Sequence, residues 1–204
     1  MKKRKNNNLT KIFSNLNIKR FFTDNKLHPY DTVNWIKTKA EIPNSNFRMD
    51  NVEFPDFYSQ NAVNIIASKY FKVNKGKQET SLKELIDRVV KTFKKWGLEQ
   101  GYFDEEGAKI YEDELTYIIL HQLATFNSPV WFNVGVEGRK QQASACFILD
   151  VEDNMESILD WIKIEGMIFK GGSGSGINLS KLRAKGEPLS TGGVSSGVIS
   201  FMKA

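Results

Sequence analysis

Apolar residues recur at three-and-four spacing in three stretches of the first 125 residues, and after Pro129 that pattern gives way to short, continuously apolar runs. The clearest helix opens at Ser81-Leu82-Lys83-Glu84, which has the form of a capping box. Leu82, Leu85, Ile86, Val89, Val90, Phe93 and Trp96 follow on one face until Gly97 stops it. A second helix is predicted over 54–71, with Pro55 near its start and Phe57, Ala62, Ile65, Ile66 and Tyr70 at helical spacing. A third is predicted over 113–125, where Leu115, Ile118, Ile119 and Leu123 form a face and Asn127-Ser128-Pro129 ends it. The aromatic segment before residue 54 shows no period and is read as irregular.

Beyond Pro129 the runs 130–134 and 145–151 are β-prone and flank a polar stretch, so both are predicted strands. Asp153 then looks like a helix cap, with Glu156 reaching back and Ile158, Leu159, Trp161, Ile162, Met167 and Ile168 behind it. These apolar positions exceed one stripe, so the helix needs a second packing surface, either another subunit or a neighbouring domain. A glycine-rich loop is predicted from Gly171 to Asn178 and a second loop over 186–197. Residues 198–204 read as the first turns of a helix, so the domain is expected to be incomplete in this chain.

With 204 residues and 40% apolar content the chain can bury a core. No stretch reaches the roughly 18 apolar residues of a membrane helix, and the start has no secretory core, so a cytoplasmic protein without membrane contact is expected. The net charge of +5 is concentrated in Lys2, Lys3, Arg4 and Lys5 of an Asn-rich leader, which reads as a solvated tail over 1–24 with a short helix near 9–16. The near-neutral remainder weighs against a nucleic-acid face.

Cys146 is the only cysteine, so no disulfide can close within the chain. It is either an inert thiol or a reactive one whose partner lies on another molecule. His28 and His121 stand alone, so no metal site is expected, and no nucleophile elbow is present. The glycines at 172, 174 and 176 fit neither a P-loop nor a dinucleotide fingerprint. Lys181 and Arg183 follow closely, so the loop reads either as a flexible connection or as a phosphate contact made by free amides and two cations.

Four blocks, taken in order, resemble the large subunit of ribonucleotide reductase, and within it the adenosylcobalamin-dependent (class II) branch. They are Phe57-Tyr58-Ser59-Gln60-Asn61-Ala62 with 65–71; Phe126-Asn127-Ser128-Pro129-Val130-Trp131-Phe132-Asn133; Ser144-Ala145-Cys146-Phe147; and 171–183 with Gly192-Gly193-Val194-Ser195-Ser196-Gly197 and Ser200-Phe201-Met202-Lys203. Tyr58 stands where the family pattern has Trp.

The resemblance implies an α/β fold: a mainly helical N-terminal domain over 25–126, then over 127–204 the first portion of a ten-stranded α/β barrel. It implies reduction of the ribose 2′-carbon by thiyl-radical chemistry, with adenosylcobalamin as cofactor and Cys146 as one of two reducing cysteines. Ser128, Ala145 and Gly174 would line the substrate pocket with Cys146. Asp153, Arg183 and Leu189 would hold a deoxynucleotide effector. A thioredoxin-like or dithiol reductant, a homodimer and a complementary C-terminal polypeptide are the implied partners, and the fragment alone is expected to be inactive. The alternatives are the large subunit of a di-metal-dependent reductase, a non-catalytic nucleotide-binding or assembly module, and a basic nucleic-acid binder.

Overall fold

The computed structural model describes residues 16–74, 76–190 and 192–203, so the basic cluster and most of the helix expected at 9–16 lie outside the described residues. The chain forms two compact units. One comprises the residues to Phe126 together with Trp131–Gln141, and the other comprises Asn127–Val130 with Gln142 onward.

In the first unit, a hairpin occupies the segment read as irregular: β1 (Trp35–Glu41) pairs antiparallel with β2 (Arg48–Pro55). Val52 and Phe54 are fully buried at period-two spacing, so Phe54 and Pro55 close a strand and do not open a helix. The helical pattern starts nearly two turns later, at Gln60. Ser59 Oγ accepts from the Ala62 amide to cap α1 (Gln60–Ile65), which continues as a π-helical turn, Ile66–Tyr70. Two-residue strands β3 (Val73–Asn74) and β4 (Lys77–Gln78) follow.

The capping box is present at the head of α2 (Leu82–Gln100): Ser81 Oγ accepts from the Lys83 amide, and the Glu84 carboxylate accepts from the amides of Thr80 and Ser81. Gly97 does not end this helix. The left-handed Gly101 (φ 71°) does, with the Tyr102 amide returning to the Gly97 carbonyl. Gly97 is required for a different reason: a Cβ there would sit 2.2 Å from Cζ of Phe103.

Asp104 caps α3 (Glu105–Leu120), which therefore begins well before the expected residue 113. It also stops before Thr125, because the chain turns left-handed at Gln122 (φ 58°) and the Leu123 amide returns to the Ile118 carbonyl. Tyr58 donates its hydroxyl to the Leu120 carbonyl at 3.0 Å, so the phenol at the expected Trp position has a buried partner; burial pushes it up to about 12.

A buried charge cluster joins distant parts of this unit. The Arg88 guanidinium bonds Glu79 at 2.6 Å and donates to the carbonyls of Val134 (2.7 Å), Trp131 (3.1 Å) and Tyr70 (3.4 Å). The run 130–134 is accordingly helical and then turned rather than extended, with Val130 to Asn133 in α4 (Ser128–Asn133). Pro129 falls in the first turn, where no helical hydrogen bond is lost, and the Trp131 indole donates to the Phe126 carbonyl.

In the second unit, β5 (Cys146–Leu149) leads through α5 (Met155–Lys170) to β6 (Gly174–Ile177), which pairs with β5 in parallel. This is one β-α-β crossover. Its core is Val151, Ile158, Trp161 and Leu182, with Leu149, Ile177, Val198 and Phe201 packed against it. The cap of α5 is Asn154, whose side chain accepts from the Ser157 amide; Asp153 is engaged elsewhere. After a loop bridged at Pro188 and Val194, α6 (Val198–Met202) forms where helical turns were expected.

Candidate functional site

Side chains alternate across a strand, so the β5/β6 pair has two different faces. Phe147, Leu149, Ser175 and Ile177 are half-buried on one, where Ser175 Oγ bonds Glu165 of α5 at 2.6 Å. Cys146, Ile148, Gly174 and Gly176 are exposed on the other.

The parallel register sets Cys146 directly opposite Gly174 and Ile148 opposite Gly176. A Cβ at Gly174 would meet nothing within 4 Å, so the space beside the thiol is open, and the absence of a side chain lets a ligand approach the backbone. The second half of the expected loop at 171–178 is therefore mostly strand, Gly174–Ile177. Its amides are not a free cradle, because that of Gly174 donates to the Ala145 carbonyl at 2.8 Å. Ala145 thus anchors the pairing just before the thiol. Ser128 is the first residue of α4 and belongs to the same unit as Cys146.

Two of the three expected effector residues, Asp153 and Arg183, come together. Arg183 Nε meets Asp153 Oδ2 at 2.5 Å, the Arg183 amide donates to Asp153 Oδ1 at 3.3 Å, and Arg183 Nη1 reaches the carbonyl of Pro188, beside the exposed Leu189. Lys181 is also paired. It bridges Asp150 and Glu152 at 2.7 Å each, hydrogen bonds that hold its ammonium above the usual value. Neither cation stands free as the loop reading supposed.

On α5, Met155, Leu159, Ile164, Met167 and Phe169 remain exposed while Ile158, Trp161 and Ile168 are buried. This is the excess of apolar positions anticipated from the sequence.

Ser173 and Gln142 carried no signal in the sequence, since 31 residues separate them, yet they meet beside the thiol strand. Among the described residues, no group of three or more His, Cys, Asp or Glu is placed to hold a metal, and no helix is long and apolar enough to cross a membrane.

A thiol beside bare glycines on a parallel pair, backed by its crossover helix, is the arrangement on which the family comparisons bear. The ribonucleotide reductase barrel-domain model matches residues 144–204, and that of class II vitamin B12-dependent ribonucleotide reductase matches 36–76 and 72–122. The vitamin B12-dependent ribonucleotide reductase of Streptomyces clavuligerus is 54% identical over 202 residues and that of Streptomyces coelicolor 53%, each match covering 95% of this chain and 21% of the relative. The chain belongs to the class II, vitamin B12-dependent ribonucleotide reductase family. It spans about a fifth of the length of the curated relatives it matches.

That family's cofactor is adenosylcobalamin. Two cavities of the first unit, of about 520 and 540 Å³, are lined mainly by charged and polar side chains such as Lys77, Asp87 and Lys91 in one and Asp31, Asn34 and Asp56 in the other. Neither offers the broad apolar floor a corrin needs, so these cavities do not fit the cofactor.

Proposed function

We propose that this chain supplies part of the catalytic barrel of a ribonucleotide reductase, with Cys146 as one of its two reducing thiols. The observation that carries the reading is the pairing of an exposed Cys146 with Gly174 on the uncovered face of β5/β6. A reducing thiol must reach a sugar edge-on, and side-chain-free backbone beside it gives that sugar room.

In this reading the ribose 2′-hydroxyl leaves as water while two thiols give up two electrons and two protons and become a disulfide. Deoxyribonucleotide, water and disulfide balance ribonucleotide and dithiol. The second sulfur comes from outside this chain, which has a single cysteine. A dithiol or thioredoxin-like protein then restores both thiols by exchange. Ser128, Ala145 and Gly174 line the substrate side. Asp153, Arg183 and Leu189 form part of the effector site, and the uncovered apolar side of α5 packs on its copy in a second subunit. The finer architecture belongs to the same reading: an N-terminal domain over 25–126, to which Arg20, Phe22 and Thr23 are bonded through Asp113 and Glu114 rather than lying free as a tail, and the opening of a ten-stranded barrel over 127–204.

The test fuses this chain to the downstream segment of the Streptomyces clavuligerus reductase and assays ribonucleotide reduction with adenosylcobalamin and a dithiol. Turnover is expected, and Cys146→Ser is expected to abolish it. Undiminished dithiol-supported turnover in that variant removes Cys146 from the chemistry.

A further inference from the structure

We propose that Ser173, held by Gln142, is a positioning residue for Cys146, a latch that fixes the thiol strand against its glycine partner. This rests on the reading of Cys146 as a reducing thiol. Ser173 is 7% exposed, although its hydroxyl is polar and an apolar residue would fill the site without need of partners. Both of its hydrogen-bonding capacities are used. The hydroxyl donates to the Ser144 carbonyl at 2.8 Å and accepts from the side-chain amide of Gln142. The next residue along each strand continues the ladder, with the Gly174 amide on the Ala145 carbonyl and then Cys146 opposite Gly174. The latch is therefore the first rung of the pairing that places the thiol, two residues ahead of it.

Gly171 explains how the latch is kept in place. It has ordinary right-handed backbone (φ −79°), so no conformational need demands glycine there. A Cβ would, however, fall 2.4 Å from Oε1 of Gln142. Glycine at 171 leaves room for the Gln142 side chain to lie along the end of α5 and reach Ser173. The hydroxyl and amide serve register rather than stability: a one-residue slip of a strand sends every side chain to the other face. Here such a slip would turn Cys146 toward α5.

Three variants test this in different ways. Ser173→Ala removes the hydroxyl. Gln142→Glu keeps the size but replaces the donor with an acceptor, drawing the Ser173 proton away from the Ser144 carbonyl. Gly171→Ala leaves both groups in place and displaces Gln142. In the full chain, hydrogen exchange of the Gly174 amide is expected to rise about tenfold in each, as the loss of one hydrogen bond implies, while exchange in α2 stays unchanged. In the full-length reductase kcat is expected to fall about tenfold or more with KM for the nucleotide within about twofold, because thiol placement and not substrate binding is disturbed.

Unchanged Gly174 exchange, or a raised KM with kcat intact, overturns the latch. Should Ser173→Ala fail to fold, the two other variants decide between these outcomes. Dithiol-supported turnover surviving in Cys146→Ser instead defeats the reading of the thiol, and the exchange results stand apart from it.

Discussion

Arg183 and Asp153, thirty positions apart, are joined by a 2.5 Å ion pair that the Arg183 backbone amide doubles on the same carboxylate. The carboxylate expected to cap α5 is thus committed to a cation, and Asn154 caps the helix in its stead. Each side chain keeps about a third of its exposure, at 33% and 33%, so a polar ligand can reach both.

If the effector reading holds, Asp153→Ala and Arg183→Ala each weaken deoxynucleotide binding by the full-length reductase, measured by calorimetric titration. Thermal stability should change little, since a part-exposed pair contributes at most about 1 kcal/mol. The double variant should bind no worse than the weaker single one. Binding unchanged in both singles would remove these residues from the effector site.

Arg88→Met is expected to destabilise the first unit by about 3–5 kcal/mol, because it strands the Glu79 carboxylate in the interior and leaves three carbonyls without their donor. Urea unfolding of the full chain measures the loss. Arg88→Met with Glu79→Leu should recover part of it, since no unpaired charge is left inside.

Acid should loosen the attachment of residues 20–23 to α3. The Glu114 carboxylate accepts from the amides of Phe22 and Thr23 and from the Thr23 hydroxyl. Burial pushes this carboxyl up, but those hydrogen bonds outweigh it and hold the group below its ordinary value. Glu84 behaves alike, with burial opposed by Lys77 and the amides of Thr80 and Ser81. A group depressed in the folded state contributes its stability fully above the unfolded value, near 4.3 for Glu, and loses it as pH falls through the lower folded one. The urea midpoint should therefore drop below about pH 4, and Glu114→Gln should flatten part of that drop.

Gly97→Ala raises helix propensity by about 1 kcal/mol, yet a net loss of about 1–3 kcal/mol is expected because the new methyl meets the buried Phe103 ring. Thermal denaturation reads the sign. Adding Phe103→Leu should restore stability, and a stabilised single variant would contradict the packing argument.

Local chemistry made the start of α2 legible. Ser81 and Glu84 sit three residues apart and need no distant partner to form a cap. The same holds for the strand at Cys146, whose flanking residues are polar. Gly97, by contrast, has the look of a stop signal, and only Phe103 in space reveals why it is glycine. The run from Val130 to Val134 was misread because β-branched propensity is weak against tertiary anchors; the Trp131 indole and the Arg88 guanidinium hold it helical. The hairpin ending at Pro55 was missed since only Ala40, Val52, Phe54 and Pro55 of its strands are fully buried, too few for an alternation to stand out.

For the site, position along the family pattern singled out Cys146, Gly174, Asp153 and Arg183. Their pairwise arrangement could not be foreseen, because the crossover through α5 and the turn from Leu179 to Leu182 bring together residues about thirty apart. Gln142 and Ser173 escaped notice for the same reason. Neither residue type advertises chemistry, and each gains meaning only from the other.

The β5/β6 ladder also bears on folding order. Parallel neighbours cannot be delivered by a tight hairpin; each arrives through a connection of a dozen or more residues, which makes such sheets slow to grow. Pairing of β5 with β6 is accordingly a late event in the folding of the second unit. While the pair forms, the exposed Cys146 is open to oxidants and alkylating agents, so this step calls for a reducing milieu.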